Sequence, residues 1–211
     1  MKTVAIIPIK KNSERVKNKN FKKIKNKPLY KYLLDKIIKC NFDEVYVDSD
    51  SIEIKKYCET KKINFIQRKP SLAKKTANGN DLLIYHSKII DADIYFQLFI
   101  TAPFLSISSI NKCISLLKKS SKKDSILTVR NLNTWFWFDK KPVNYNPRKL
   151  PRSQDAKPLV METTGLYGIK KNSLAKTKCR IGKKPIFFEV SLKESLDCDT
   201  KEDLDLLRYY A

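Results

Sequence analysis

Glycine occurs only four times in 211 residues, and never in the lysine-rich loop at residues 10–20. That absence excludes a P-loop, whose backbone N–H groups must approach phosphate closely. Histidine occurs once, as His86, among apolar neighbours in the helical stretch NDLLIYHSKII. A packing role is expected for it, and without another histidine no Ser-His-Asp or Cys-His arrangement can be argued. The commonest hydrolase plans therefore drop out, and chemistry driven by charge is favoured. Five cysteines (Cys40, Cys58, Cys113, Cys179, Cys198) are widely spaced, odd in number and form no CxxC pair. Neither a zinc site nor a disulfide framework follows, and reduced thiols in a cytoplasmic protein are expected. The apolar stretch in MKTVAIIPIKK is too short for a signal peptide, and no run approaches the length of a membrane span. A soluble protein with no membrane partner is the expectation.

Arginine is scarce too: seven residues, within a total of 44 Lys plus Arg against 22 Asp plus Glu, a formal charge of +22. Such a charge raises nucleic acid, anionic surfaces and anionic small molecules as partners. Lysine carries most of it, spread along the chain beside abundant Asn and Ile. Arginine is the better fork for phosphates and guanine edges, so the diffuse charge argues against nucleic acid as the main partner.

What is present is a regular alternation. TVAIIP reads as a buried first strand and KPLYKYLLDKIIKC as a helix with Pro28 at its first position. EVYVDSD, NFIQR, DIYFQLFI and DSILTVRN read as further strands, separated by helical stretches; Ser108 or Ser109 is a candidate N-cap for the helix after TAPFL. The pattern predicts an α/β, Rossmann-like, mostly parallel sheet with helices on both faces, in a single domain over residues 1–211. From about residue 131 to 160 the rhythm breaks. Trp135, Phe136, Trp137 and Phe138 stand in a row there, predicting a small extended arm that packs on its own domain or forms a dimer contact. TTGLYGI and PIFFEV resume as strands, and KEDLDLLRYY is a final helix with Thr200 and Asp203 as an imperfect capping box.

Ligands of open α/β sheets bind beyond the carboxyl ends of the strands, and the lysine-rich loop, DSD, QR and TAP all fall there. In SLDCDT, Asp197 and Asp199 share one face if the segment is extended. Two converging carboxylates suit Mg²⁺, which takes one or two protein carboxylates plus substrate phosphates. The alternative is that one of them merely caps the last helix.

Taken in order, IIPIKKNSERVKNKNFKKIKNKPL, RKPSLA, TAPFL, ETTGLYGI and LDCDTKEDLDLL resemble the CMP-sugar-acid synthetases: the acylneuraminate cytidylyltransferases and, more distantly, the Kdo cytidylyltransferases. The resemblance runs nearly the whole length and implies transfer of CMP from CTP to an acidic sugar. It implies that the first loop wraps the CTP triphosphate through Lys10, Asn12, Ser13, Lys19 and Asn20, with Arg15 adding charge and Arg68 approaching the nucleotide. It implies Mg²⁺ at Asp197 and Asp199, with Lys10, Arg15, Lys19 and Asp199 as the catalytic set. For the sugar it points to Gln97, Thr101, Thr164, Gly165 and Tyr167, and to Arg152 and Gln154 on the arm, where such enzymes dimerise. The loop departs from the usual pattern in lacking Gly or Pro before its Lys-Asn pair, and Phe99 stands where a Gln is usual, with Gln97 nearby. A cytidylyl transfer to a phosphorylated or phosphonate acceptor and a basic nucleic-acid-binding module stay open as rivals.

Overall fold

The computed structural model describes residues 1–13, 16–74 and 76–211. Seven strands make one sheet: β1 (Thr3–Ile9), β4 (Glu44–Ser49), β5 (Asn64–Gln67), β6 (Ile94–Leu98), β7 (Ser125–Leu132), β10 (Leu159–Lys170) and β11 (Pro185–Glu189). Two-residue ladders β2 (Lys23–Ile24) with β3 (Lys27–Pro28), and β8 (Trp137–Phe138) with β9 (Lys141–Pro142), stand apart from it. The order is β11-β7-β10-β6-β1-β4-β5, parallel except for β10, which runs antiparallel to both neighbours. Tight contact fixes β10 in place. A Cβ at Gly168 would lie 2.5 Å from Phe96 Cε1 and 2.8 Å from Ile126 Cγ2.

Alternation along the strands sends side chains to both faces, so a doubly covered strand reads as a continuous apolar run. Ala5, Ile7 and Ile9 of β1 pack with α1 (Leu29–Ile37), α2 (Ile52–Lys61) and α4 (Ile107–Lys119). Val4 and Ile6 point the other way, toward Leu83 of α3 (Gly79–Ile89) and Leu174 of α5 (Lys171–Thr177). A separate cluster seats Leu204 and Leu207 of α6 (Lys201–Tyr210) on Ile24 and Leu29. Each fully buried Leu or Ile contributes roughly 1.5–3 kcal/mol.

The helix starts refine the sequence reading. Pro28 is the N-cap of α1 (φ −57°, ψ 144°), so the helix starts at Leu29, one residue later than expected. Helix α4 is capped by Ser106, whose Oγ accepts from Ser109 N at 3.1 Å, because the helix begins at Ile107 rather than after Ser108 or Ser109. The box at α6 is complete: Asp203 N donates to Thr200 Oγ1 (3.1 Å) and Thr200 N to Asp203 Oδ2 (2.8 Å). Between β7 and β10, residues 133–158 leave the sheet. Asp139 and Lys140 (φ 47° and 58°) turn the β8–β9 hairpin, consistent with a two-residue loop of positive φ. This excursion is the predicted arm, and Trp137 and Phe138 on it are exposed, the latter to 77%.

Candidate active site

The chain leaves β1 toward β4 on one side, while β6 lies on the other. This reversal opens a crevice beyond the strands' carboxyl ends. A cleft of about 410 Å³ occupies it, bordered by Lys10, Asn12, Ser13, Lys19, Asn20 and Arg68 from the nucleotide set and by Thr101 from the sugar set. Arg15 lies outside the described residues.

Local bonds shape the glycine-free loop. Asn18 adopts the left-handed conformation (φ 55°) that a glycine would otherwise supply, and Asn tolerates it better than most residues. Asn20 Nδ2 donates to Lys10 O at 2.6 Å, and Lys11 N to Asp50 Oδ1 at 2.6 Å, which ties the loop to the turn after β4. Lys19 is buried; its Nζ donates to Cys198 O at 2.6 Å and to Asp199 Oδ1 at 3.0 Å. The first loop and the Asp-Cys-Asp segment, 180 residues apart in the chain, thus meet through one ammonium.

That segment is held by its backbone. Cys198 N donates to Thr101 O at 2.9 Å, joining it to the loop after β6, and Asp199 N donates to Asp203 Oδ2 at 2.9 Å. Thr200 and Asp203 cap α6, so Asp197 and Asp199 are not needed for that role. Asp197 Oδ1 is buried without a hydrogen-bond partner among the described residues. An orphaned carboxylate oxygen two residues from a second carboxylate fits a hard divalent cation completed by substrate oxygens. No cluster of three or more His, Cys, Asp or Glu able to hold a metal is found among the described residues, so phosphate or water would complete the coordination.

Arg68 reaches the cleft from a buried base. Its Nε donates to Asp48 Oδ1, its Nη2 to Asp48 O at 3.1 Å, and Asp48 Oδ2 lies 2.8 Å from His86 Nε2. Asp48 and His86 are fully buried. Burial alone would raise the Asp48 pKa, but the His86 bond and the Arg68 charge bring it below the ordinary carboxylate value. The lone histidine therefore packs against a carboxylate. Sequence reading missed Asp48, although its place in DSD at a strand end was a usable signal. It also missed Lys36, whose Nζ donates to Pro103 O and Leu105 O, both at 2.6 Å, and braces the loop after β6. Burial pushes the Lys36 pKa down to about 8.

The sugar set is only partly gathered. Gln97 is buried, its Nε2 donating to Gly79 O at 2.9 Å, while its Oε1 has no partner among the described residues. Gly165 is buried near Ala102, and Thr164 is exposed. Tyr167 is buried with its hydroxyl bonded to Glu162; burial first, then that bond, raises its pKa. Arg152 and Gln154 are not brought to the cleft border. Arg152 pairs with Asp155 at 2.7 Å on the excursion and its side chain is 75% exposed; Gln154 beside it is also exposed.

Several known proteins are similar. N-acylneuraminate cytidylyltransferase A of Danio rerio is 24% identical over 209 residues, covering 94% of this chain and 48% of that protein. N-acylneuraminate cytidylyltransferase of Escherichia coli O18:K1:H7 is 23% identical, covering 97% of this chain and 51% of that one. A Helicobacter pylori protein described as pseudaminic acid cytidylyltransferase and UDP-2,4-diacetamido-2,4,6-trideoxy-beta-L-altropyranose hydrolase is 26% identical, over 61% of this chain and 26% of its own length. The chain thus spans about half or less of these relatives. A CMP:2-keto-3-deoxy-manno-octonic acid synthetase complexed with CTP has the same fold, with TM-score 0.74 at 16% identity, covering 100% of this chain and 98% of that one. With the cytidylyltransferase family model matching residues 4–210, this chain belongs to the cytidylyltransferase family.

Proposed function

We propose that the chain transfers CMP from CTP to an acidic sugar and releases pyrophosphate. The observation that carries this reading is the 3.0 Å contact between Lys19, which lines the cleft, and Asp199. It sets a basic side chain beside the Asp-Cys-Asp carboxylates, an arrangement that suits nucleotidyl transfer from a triphosphate to a hydroxyl oxygen. A hydroxyl oxygen of the acceptor would bond to the α-phosphorus of CTP as the bond from that phosphorus to the bridging oxygen breaks. Pyrophosphate leaves with the electron pair, and the hydroxyl proton passes to solvent or a nearby base. Lys10, Lys19 and Arg15 would offset triphosphate charge, with Asn12, Ser13 and Asn20 positioning it and Arg68 reaching the nucleotide.

The family generally uses a divalent metal; here it would be Mg²⁺ at Asp197 and Asp199, supplying positive charge against the phosphates. The names of the relatives support a nonulosonic or ulosonic acid as acceptor, met by Gln97, Thr101, Gly165 and Tyr167. No helix among the described residues is long and apolar enough to cross a membrane. The five free cysteines suit a reducing cytoplasm. The exposed aromatic side chains of the arm suit a homodimer interface, which could carry Arg152 and Gln154 toward a partner.

Pyrophosphate release should require CTP, Mg²⁺ and one of a panel of neuraminate-type acids, Kdo and phosphorylated acceptors. Asp199→Asn should lower kcat by about 10²–10³. Turnover with none of the acceptors would refute the activity, and near-normal turnover by the variant would refute the metal assignment.

A further inference from the structure

Arg180, in the loop between α5 and β11, was not singled out by the sequence. Its backbone N donates to Asn80 Oδ1 at 2.9 Å, which anchors it beside the start of α3. Its guanidinium lies 3.6 Å from the Tyr167 ring centroid and 5.7 Å from that of Phe99. The stacked side chain is 24% exposed, and its one acidic partner among the described residues is Glu162, 3.5 Å from Nη2. That carboxylate oxygen also accepts the Tyr167 hydroxyl. A guanidinium carries five N–H donors in a rigid fork. One long contact to a shared oxygen leaves most of that fork available.

The absence of a side chain at Gly79 lets the fork lie against the back of the cleft wall. A Cβ there would lie 2.8 Å from Arg180 Nη1 and 3.2 Å from Gln97 Oε1, so both groups border the same point. Gly79 and Phe99 both line the cleft. Gln97 Oε1 is a buried acceptor with no partner among the described residues, a condition that a donor on a bound ligand would relieve.

We infer that Arg180 is the anion anchor for the acceptor, gripping its carboxylate bidentately while Gln97 Oε1 accepts a hydrogen bond from a neighbouring hydroxyl or amide N–H. This rests on the CMP-transfer reading of the same site. It replaces Arg152, which is exposed and tied to Asp155, as the arginine of this chain that meets the acid. A stacked, half-enclosed fork is pre-organised, so little freedom is lost when the carboxylate binds.

The test is steady-state pyrophosphate release with an accepted sugar acid and with its uncharged methyl ester, in wild type, Arg180→Ala and Arg180→Lys. CTP-induced thermal shifts serve as the control for folding and nucleotide binding. Arg180→Ala should raise KM for the acid about 10- to 100-fold, leave KM for the ester nearly unchanged, and so erase selectivity for the acid. Arg180→Lys keeps charge without the fork and should fall between the two. The CTP-induced shift should be preserved in both. An Arg180 that only braces Tyr167 would depress both acceptors alike, and that result overturns the inference, as does a rise in KM for CTP instead of the acid. If wild type turns over acids but the variants match it, Arg180 is refuted while the transfer reading stands. If wild type turns over no acidic acceptor, both fall together.

Discussion

Asp48→Asn tests how the cleft holds Arg68. Asp48 is fully buried and Arg68 nearly so, with one carboxylate oxygen on the Arg68 Nε and the other 2.8 Å from His86 Nε2. The amide preserves shape and can turn its oxygen toward Arg68 and its NH₂ toward His86, so the loss is mainly that of charge. Breaking a buried ion pair costs roughly 3–5 kcal/mol, and the retained hydrogen bonds argue for the lower end, about 3 kcal/mol. At about 2–4 °C per kcal/mol for a domain of this size, Tm should fall by roughly 6–12 °C. Triphosphate at the cleft would replace part of the missing negative charge beside Arg68, so CTP should raise Tm more in the variant than in wild type. The pH dependence has a fixed sign. A carboxylate whose folded pKa is depressed adds stability above its unfolded value near about 4, and loses it as pH falls through the folded value. The gap between the two proteins should therefore narrow below about pH 4. Circular dichroism melts with and without CTP measure both effects. A Tm within a degree or so of wild type, or equal CTP shifts, would refute the charge-anchor reasoning.

Three further outcomes are expected. Glu194 accepts from Ser109 Oγ at 2.6 Å and Ser106 N at 3.1 Å; burial alone would raise its pKa, but these bonds bring it down to about 2. Glu194→Gln should cost about 2–3 kcal/mol at neutral pH and progressively less as pH drops from about 4.5 toward 2, read by urea melts across pH. Gly168→Ala should destabilise by about 1–3 kcal/mol, because its methyl would press on Phe96 and Ile126; an unchanged urea midpoint would show that β10 and β6 have room to part. Phe138→Asp on the arm should convert a dimer to monomer in sedimentation velocity, and a monomeric wild type would remove the interface proposal.

Much of the scaffold was legible because its signals are local. Buried parallel strands read as apolar runs, and α1 shows its core face in Leu29, Leu33, Leu34 and Ile37. The α6 box was legible at Thr200 and Asp203 because capping spans three residues. The cap at Ser106 was misplaced because three serines crowd SISS, and the choice among them depends on Glu194, 88 residues away. Asp48 and Lys36 stayed hidden because each acts through partners remote in the chain.

By itself the sequence determined the alternation of strands and helices, the cationic first loop, the carboxylate pair near the end and the exclusion of histidine-based hydrolysis. Those follow from residue type and short spacing, which the chain displays directly. Only the tertiary structure decided that Lys19 meets Asp199 and that Asp48 holds Arg68. It also decided that Arg180 lies over Tyr167, beside Gly79 of the cleft wall, while Arg152 stays in solvent. Long-range packing sets such encounters, and a basic residue's neighbours in space, not in sequence, decide whether its charge is spent on a carboxylate or left for a substrate.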